Sequence, residues 1–206
     1  MRPLTGASRT TVACVGLALA VGSFAQAIGP PAANAQQALA DATATPEGAA
    51  DLFLRSVRLI RWNTAAQLMH PETLERFHQA VTMIADADTS GAVREYFTQT
   101  DSAAYADLDP AVVFDRAVGR MVDDMPGLMH AIYDRDDEVI GRVIEESGEA
   151  HAVYRTTARI SGAVSEVKVM QLARVQEGWR VFWSDELEVL ETALRGVARN
   201  RRPPGR

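Results

Sequence analysis

The chain is nearly empty of two residue types that carry much protein chemistry. Its single cysteine, Cys14, lies inside an apolar run near the start. The remainder therefore has no disulfide, thiolate nucleophile or cysteine metal ligand to draw on. Its single lysine, Lys168, stands against 20 arginines, which reads as compositional bias. The 4 histidines, His70, His78, His130 and His151, are too scattered for a metal centre. His70 and His78 are two helical turns apart, but His70 sits at a break before Pro71. A phosphate-binding glycine loop, a dinucleotide fingerprint, a nucleophile elbow and an HExxH pattern are all missing. No cofactor and no metal is implied. The run Asp134 to Glu138 lacks the alternation of a calcium loop and reads as a solvated turn.

Base is scarce where acid is plentiful. Residues 45–194 hold 26 Asp+Glu against 14 Lys+Arg, a balance of −12. Such a balance argues against nucleic-acid binding by the folded body. Residues 195–206 reverse the sign, with five arginines and no acid.

The start reads as a leader. Arg2 and Arg9 precede a short apolar run, Val12 to Val21, too short to span a bilayer comfortably. Ala25-Gln26-Ala27 and Ala33-Asn34-Ala35 both fit a small-x-small cleavage site. The expected organisation is a signal peptide over 1–35 (cut behind Ala35, with Ala27 as the alternative), a linker over 36–45, one folded domain over 46–198 and a disordered basic tail over 199–206. The expected location is secreted or periplasmic. Membrane contact is expected only through the leader or the tail, and an uncleaved anchor is the alternative.

Within the domain, Thr45-Pro46-Glu47 opens a helix. Ala49, Phe53, Val57 and Ile60 recur at helical spacing, so the helix runs to about Trp62. A short helix follows over Thr64 to Met69. His70-Pro71-Glu72 opens another, with Leu74, Phe77, Val81 and Ile84 as its stripe. Ala92 to Phe97 is a candidate short helix. Asp109-Pro110 opens a helix with Val113, Phe114, Ala117, Val118 and Met121 on one face. Leu128 to Tyr133 reads equally as helix or strand. A last helix is expected from Ser184 or Asp185 to about Arg199.

Glu138 to Ser184 reads as consecutive strands with turns at Ser147-Gly148, Ser161-Gly162 and Gln176-Glu177-Gly178. Helices, then strands, then a helix predict an α+β fold with an antiparallel sheet. Centring the second turn on Ser161-Gly162 puts Arg159 opposite Val164, Tyr154 opposite Val169 and Ala152 opposite Gln171. Tyr154, Thr156 and Gln171 then share the covered face as pocket candidates, with Trp183 on strand four. Val153 opposite Met170 and His151 opposite Leu172 form an outer apolar strip. Arg155, Glu166, Lys168 and Arg174 rim it. Val153, Met170 and Leu172 are the candidates for a homodimer interface.

The opening amphipathic helix, the short helix and break Ala65-Ala66-Gln67-Leu68-Met69-His70-Pro71-Glu72, and the closing Gly178-Trp179-Arg180-Val181 resemble the NTF2-like superfamily. This is the α+β fold of nuclear transport factor 2, ketosteroid isomerases and SnoaL-type cyclases. The resemblance covers about residues 46 to 190. The long 79–137 segment and the extra C-terminal helix depart from it. It implies a cone, with N-terminal helices on a curved antiparallel sheet, a hollow that often forms a pocket, and frequent pairing. It leaves function open. The leading expectation is non-catalytic binding of a small apolar ligand or a protein partner. One rival is an isomerase or cyclase with a pocket tyrosine and acid, Tyr154 and Asp185, although Asp185 also serves as a helix cap. Another is a purely structural dimerisation module.

Overall fold

The acidic run Asp134 to Glu138 is not a solvated turn. All but its first residue belong to strand β1, Arg135–Ile144. The reason is charge pairing, some of it with residues far along the chain. Asp136 meets Arg58 at 2.7 Å and Arg159 at 3.2 Å, and Asp137 meets Arg135 at 3.0 Å. β1 is an edge of the sheet, where charge discourages pairing with another chain. β2 is Ala150–Ala158, β3 is Val164–Val175 and β4 is Gly178–Trp183. The four form one open antiparallel sheet in the order β1-β2-β3-β4. This computed structural model describes residues 32–87, 95–96, 108–159, 164–176, 178–184, 187–189 and 192. The leader before Ala32, most of the 88–107 segment, the centre of the second turn, Asp185 and the basic tail lie outside the described residues.

The β2–β3 register corrects the expected one by a single residue. Ala158 pairs with Val164, so Tyr154 faces Lys168, Ala152 faces Met170 and Ala150 faces Leu172. A one-residue slip turns every side chain of a strand over. Met170 and Leu172 are therefore core residues with 0% exposure, not an outer strip. Lys168 and Glu166 move by the same parity to the covered side, and Val167, Val169 and Gln171 to the outer side. Alternation could not reveal this, because β3 carries apolar residues on both faces along its length. The hydrophobic pattern thus satisfies two registers, and packing selects one.

The covered face is closed by helices. α1 spans Ala32–Ala42, across the last residues of the expected leader and most of the expected linker. Its anchor is Thr43, fully buried, whose carbonyl accepts from Trp179 N–H at 2.8 Å. α2, Pro46–Arg58, is capped by Thr45, whose hydroxyl accepts from Gly48 N–H at 3.1 Å. It ends four residues before the expected Trp62. Ile60 N–H bonds to Val57 O at 3.1 Å and Arg61 N–H to Ser56 O at 2.8 Å. That is a Schellman ending, with Ile60 at φ 55 in the left-handed position usually given to glycine. α3, Trp62–Gln67, and α4, Pro71–Ala87, follow. Between them Leu68 to His70 run along β4. Val181 N–H donates to Leu68 O and His70 N–H to Val181 O, both at 2.8 Å, covering that edge. α5, Pro110–Asp124, is capped by Asp109. The ambiguous Leu128 to Tyr133 stretch is helical, within α6, Pro126–Tyr133.

One core joins the layers. Phe53 and Val57 from α2, Phe77 and Val81 from α4, and Phe114 and Val118 from α5 meet Ala152, Tyr154, Met170, Leu172 and Val181 from the sheet. Phe77 and Phe114 pack edge-to-face at 5.0 Å. Each of the phenylalanine, valine, leucine and methionine side chains among them contributes about 1.5–3 kcal/mol on burial. The architecture is α+β with an open four-stranded sheet.

Candidate functional site

Two places on this frame gather chemistry. The first is one end of the covered face. Three rows cross it: Arg135–Ala158–Val164, Asp137–Thr156–Glu166 and Val139–Tyr154–Lys168. Tyr154 is fully buried and Thr156 half-buried. Asp137 has a side chain only 3% exposed, ion-paired with Arg135 through Oδ2. Its Oδ1 is buried without a hydrogen-bond partner. The acid expected from the sequence was Asp185, at the end of strand four, whereas the covered face carries Asp137 of β1 and Glu166 of β3. Arg135, Asp137 and Val139 alternate onto one face, a signal hidden by reading the run as a turn.

The other sequence candidates do not converge there. Gln171 lies on the opposite face, where its Nε2 donates to Glu149 Oε2 at 2.9 Å. Trp183 is its register partner on β4. Asp185 is outside the described residues. Val153 keeps its outer-face position, half-buried opposite Val169. His151 also stays on the outer face, 2.6 Å from Glu145.

The second place is a cleft of about 620 Å³ where the α3–α4 corner, the start of α5 and the β3–β4 turn meet. Leu39 of α1 forms one wall. Ala66, Met69, Leu74, Ala111 and Val175 supply most of the remaining apolar lining. Among the described residues, two ionisable ones reach it, Asp109 and Arg180. Asp109 is exposed, and its Oδ1 accepts from Ala111 N–H at 2.8 Å at the start of α5. Arg180 is only 8% exposed, and its Nη1 donates to Trp179 O at 3.0 Å. The corner is held by Thr73, whose hydroxyl bonds to Phe182 O, and by His70 packed edge-on to Phe182 at 5.0 Å. Tyr154, Thr156 and Gln171 do not line this cleft. Sequence reading missed it because its lining comes from five separated stretches.

Among the described residues, no group of three or more His, Cys, Asp or Glu stands close enough to hold a metal ion. No helix among them is long and apolar enough to cross a membrane. Compared with protein-family models, with curated proteins and with solved structures, the chain matches none.

Proposed function

We propose that this is an exported domain of NTF2-like, cone-type architecture that binds a small apolar ligand without transforming it. The observation that carries the binding reading is the cleft. Its volume of about 620 Å³ lies in the range of small-molecule sites, which are mostly apolar with a few placed polar groups. Helices followed by consecutive antiparallel strands support the architecture. The positive start, the short apolar run and the paired small-x-small sites support export. Mass spectrometry of exported protein tests that part, with a chain beginning at Gln36 or Ile28 expected. A membrane-bound, full-length chain alone rejects it. Binding is tested with a neutral naphthylamine fluorophore. It brightens on adding the protein, and Leu74→Gln removes the signal while circular dichroism stays unchanged. Equal brightening with both proteins sinks the reading.

A second reading, a weak homodimer through the outer sheet face, is favoured by the valines. Val143, Val167 and Val169 are 57%, 62% and 50% exposed, beside half-buried Val153. Polar groups around them already have partners, Arg155 with Glu138 at 3.1 Å and His151 with Glu145 at 2.6 Å. Partnered polar groups lower the repulsion this face presents to a second copy of an acidic body. Concentration-dependent sedimentation that Val169→Glu abolishes supports it. A monomer at high concentration ends it.

A further inference from the structure

We infer that the ligand of the cleft is an apolar molecule carrying an ammonium group, with the ammonium seated on the Asp109 carboxylate. The inference rests on the ligand-binding reading of the cleft. What selects a head group there is the balance of donors and acceptors in the wall. Two helices start at the cleft, α4 at Pro71 and α5 at Pro110. A helix start normally offers free N–H groups to an anion. Here those donors are used. Each proline lacks an N–H. Glu72 N–H donates to His70 Nδ1 at 3.3 Å, and Thr73 and Leu74 N–H donate to His70 O at 3.0 and 3.1 Å. Ala111 N–H donates to Asp109 Oδ1 at 2.8 Å, and Val112 and Val113 N–H donate to Asp109 O at 2.9 and 3.1 Å. Arg180 is engaged with the protein itself, in part through Nη1 and the Trp179 carbonyl. These groups of the wall leave an anionic head little to bind.

The acceptors are open. Asp109 is exposed on the cleft wall, and its cap to Ala111 uses only Oδ1. Among the described residues no hydrogen bond or ion pair reaches its Oδ2. Gln67 donates its amide to Asn63 Oδ1 at 2.8 Å, which leaves the Gln67 carbonyl oxygen able to accept. An ammonium has three donors and no acceptor, so it matches a wall of this kind. The acidic body draws the same sign of ligand. Asp109 is open to water and Arg180 lines the same cleft, so screening and residual repulsion keep the preference modest. Leu39, Met69, Leu74 and Val175 then cover the apolar part of the ligand.

The test uses the full chain with three probes of equal length, octylamine, octanol and octanoate, titrated calorimetrically at neutral pH. The amine is expected to bind about three-fold more tightly than the alcohol, the worth of one exposed ion pair. The acid should bind more weakly than either. Asp109→Asn keeps a capping side chain and loses the charge, so the amine should fall to the affinity of the alcohol. Asp123→Asn removes the same charge at the far end of α5 and should keep the three-fold ratio. Equal affinity of the unmodified chain for amine and alcohol, or tighter binding of the acid, overturns the ammonium inference and leaves apolar binding standing. A full amine preference surviving in Asp109→Asn also overturns it, as does loss of the preference in Asp123→Asn. Binding of none of the probes overturns the cleft reading together with the inference. If Asp109→Asn does not fold, Asp109→Ser, which also caps a helix, takes its place with the same expected outcome.

Discussion

Gly178 shows how one residue joins distant parts of the chain. It sits at φ 132, and a methyl group there would come within 2.7 Å of Thr43 Oγ1 and 2.8 Å of Thr43 O. Gly178→Ala combines backbone strain with a collision against buried backbone. A loss of about 2–4 kcal/mol in urea denaturation is expected. Gly127, within α6, would meet nothing within 4 Å. Gly127→Ala should therefore be neutral or stabilise by up to about 1 kcal/mol in the same measurement. A second residue-scale effect is ionic. Burial alone raises the Glu47 carboxyl, but its hydrogen bonds and the Arg142 charge outweigh that and hold it below its ordinary 4.5. In acid the unfolded chain then binds the proton first. The pair's contribution is complete above pH 4.5 and fades as pH falls through the folded value. Both side chains are partly exposed, at 42% and 32%, so screening keeps the contribution to about 0.2–1 kcal/mol. The stability difference between the parent and Glu47→Gln should shrink to nothing in acid. A difference that persists there would assign the effect to packing.

At the scale of elements, the register of β2 against β3 decides what each substitution means. Met170 is fully buried opposite Ala152, and its neighbour Val169 is 50% exposed opposite Val153. Met170→Ala should cost about 2–5 kcal/mol, and Met170→Glu should leave no cooperative melting transition. Val169→Glu, one position away, should cost under about 1 kcal/mol. Had the chain adopted the register that the Ser161-Gly162 turn suggests, the two outcomes would be exchanged. Far-ultraviolet circular dichroism of the pair of variants distinguishes the registers directly. The helices were more legible. The stripes Phe53–Val57, Phe77–Val81–Ile84 and Val113–Phe114–Ala117–Val118–Met121 were readable from spacing, and all of these residues are buried. A helix has one apolar face and a fixed period, whereas β3 is apolar on both of its faces.

At the scale of the molecule, α1 belongs to the body. Leu39 lines the cleft, and Thr43 O accepts from Trp179 N–H of β4 while its hydroxyl donates back to Leu39 O at 3.0 Å. Cleavage behind Ala27 keeps α1 whole, and cleavage behind Ala35 removes only its first four residues. Both forms should melt within about 3 °C of each other, an interval worth no more than roughly 1 kcal/mol. A chain beginning at Thr45 loses the Thr43 contacts and should melt lower by about 5 °C or more, the equivalent of a buried hydrogen bond and its packing. Equal melting of all three would mean that α1 is dispensable.

By itself the sequence determined the α+β class, the helical stripes, the turn at Gly148 and the absence of cysteine chemistry from the body. These rest on local properties, namely periodicity, turn chemistry and composition, which need no knowledge of what packs against what. It also contained the Gly178-Trp179-Arg180-Val181 strand, but not the burial of its arginine beside the cleft. Tertiary structure decided the rest. It selected the β2–β3 register, drew Asp134 to Glu138 largely into β1, turned an apparent linker into α1, and assembled a cleft from five stretches up to about 140 residues apart. Each of those outcomes depends on long-range partners, such as Ala152 for Met170, Arg58 for Asp136, and Trp179 for Thr43. A local pattern compatible with two arrangements is resolved only when those partners bury one of them.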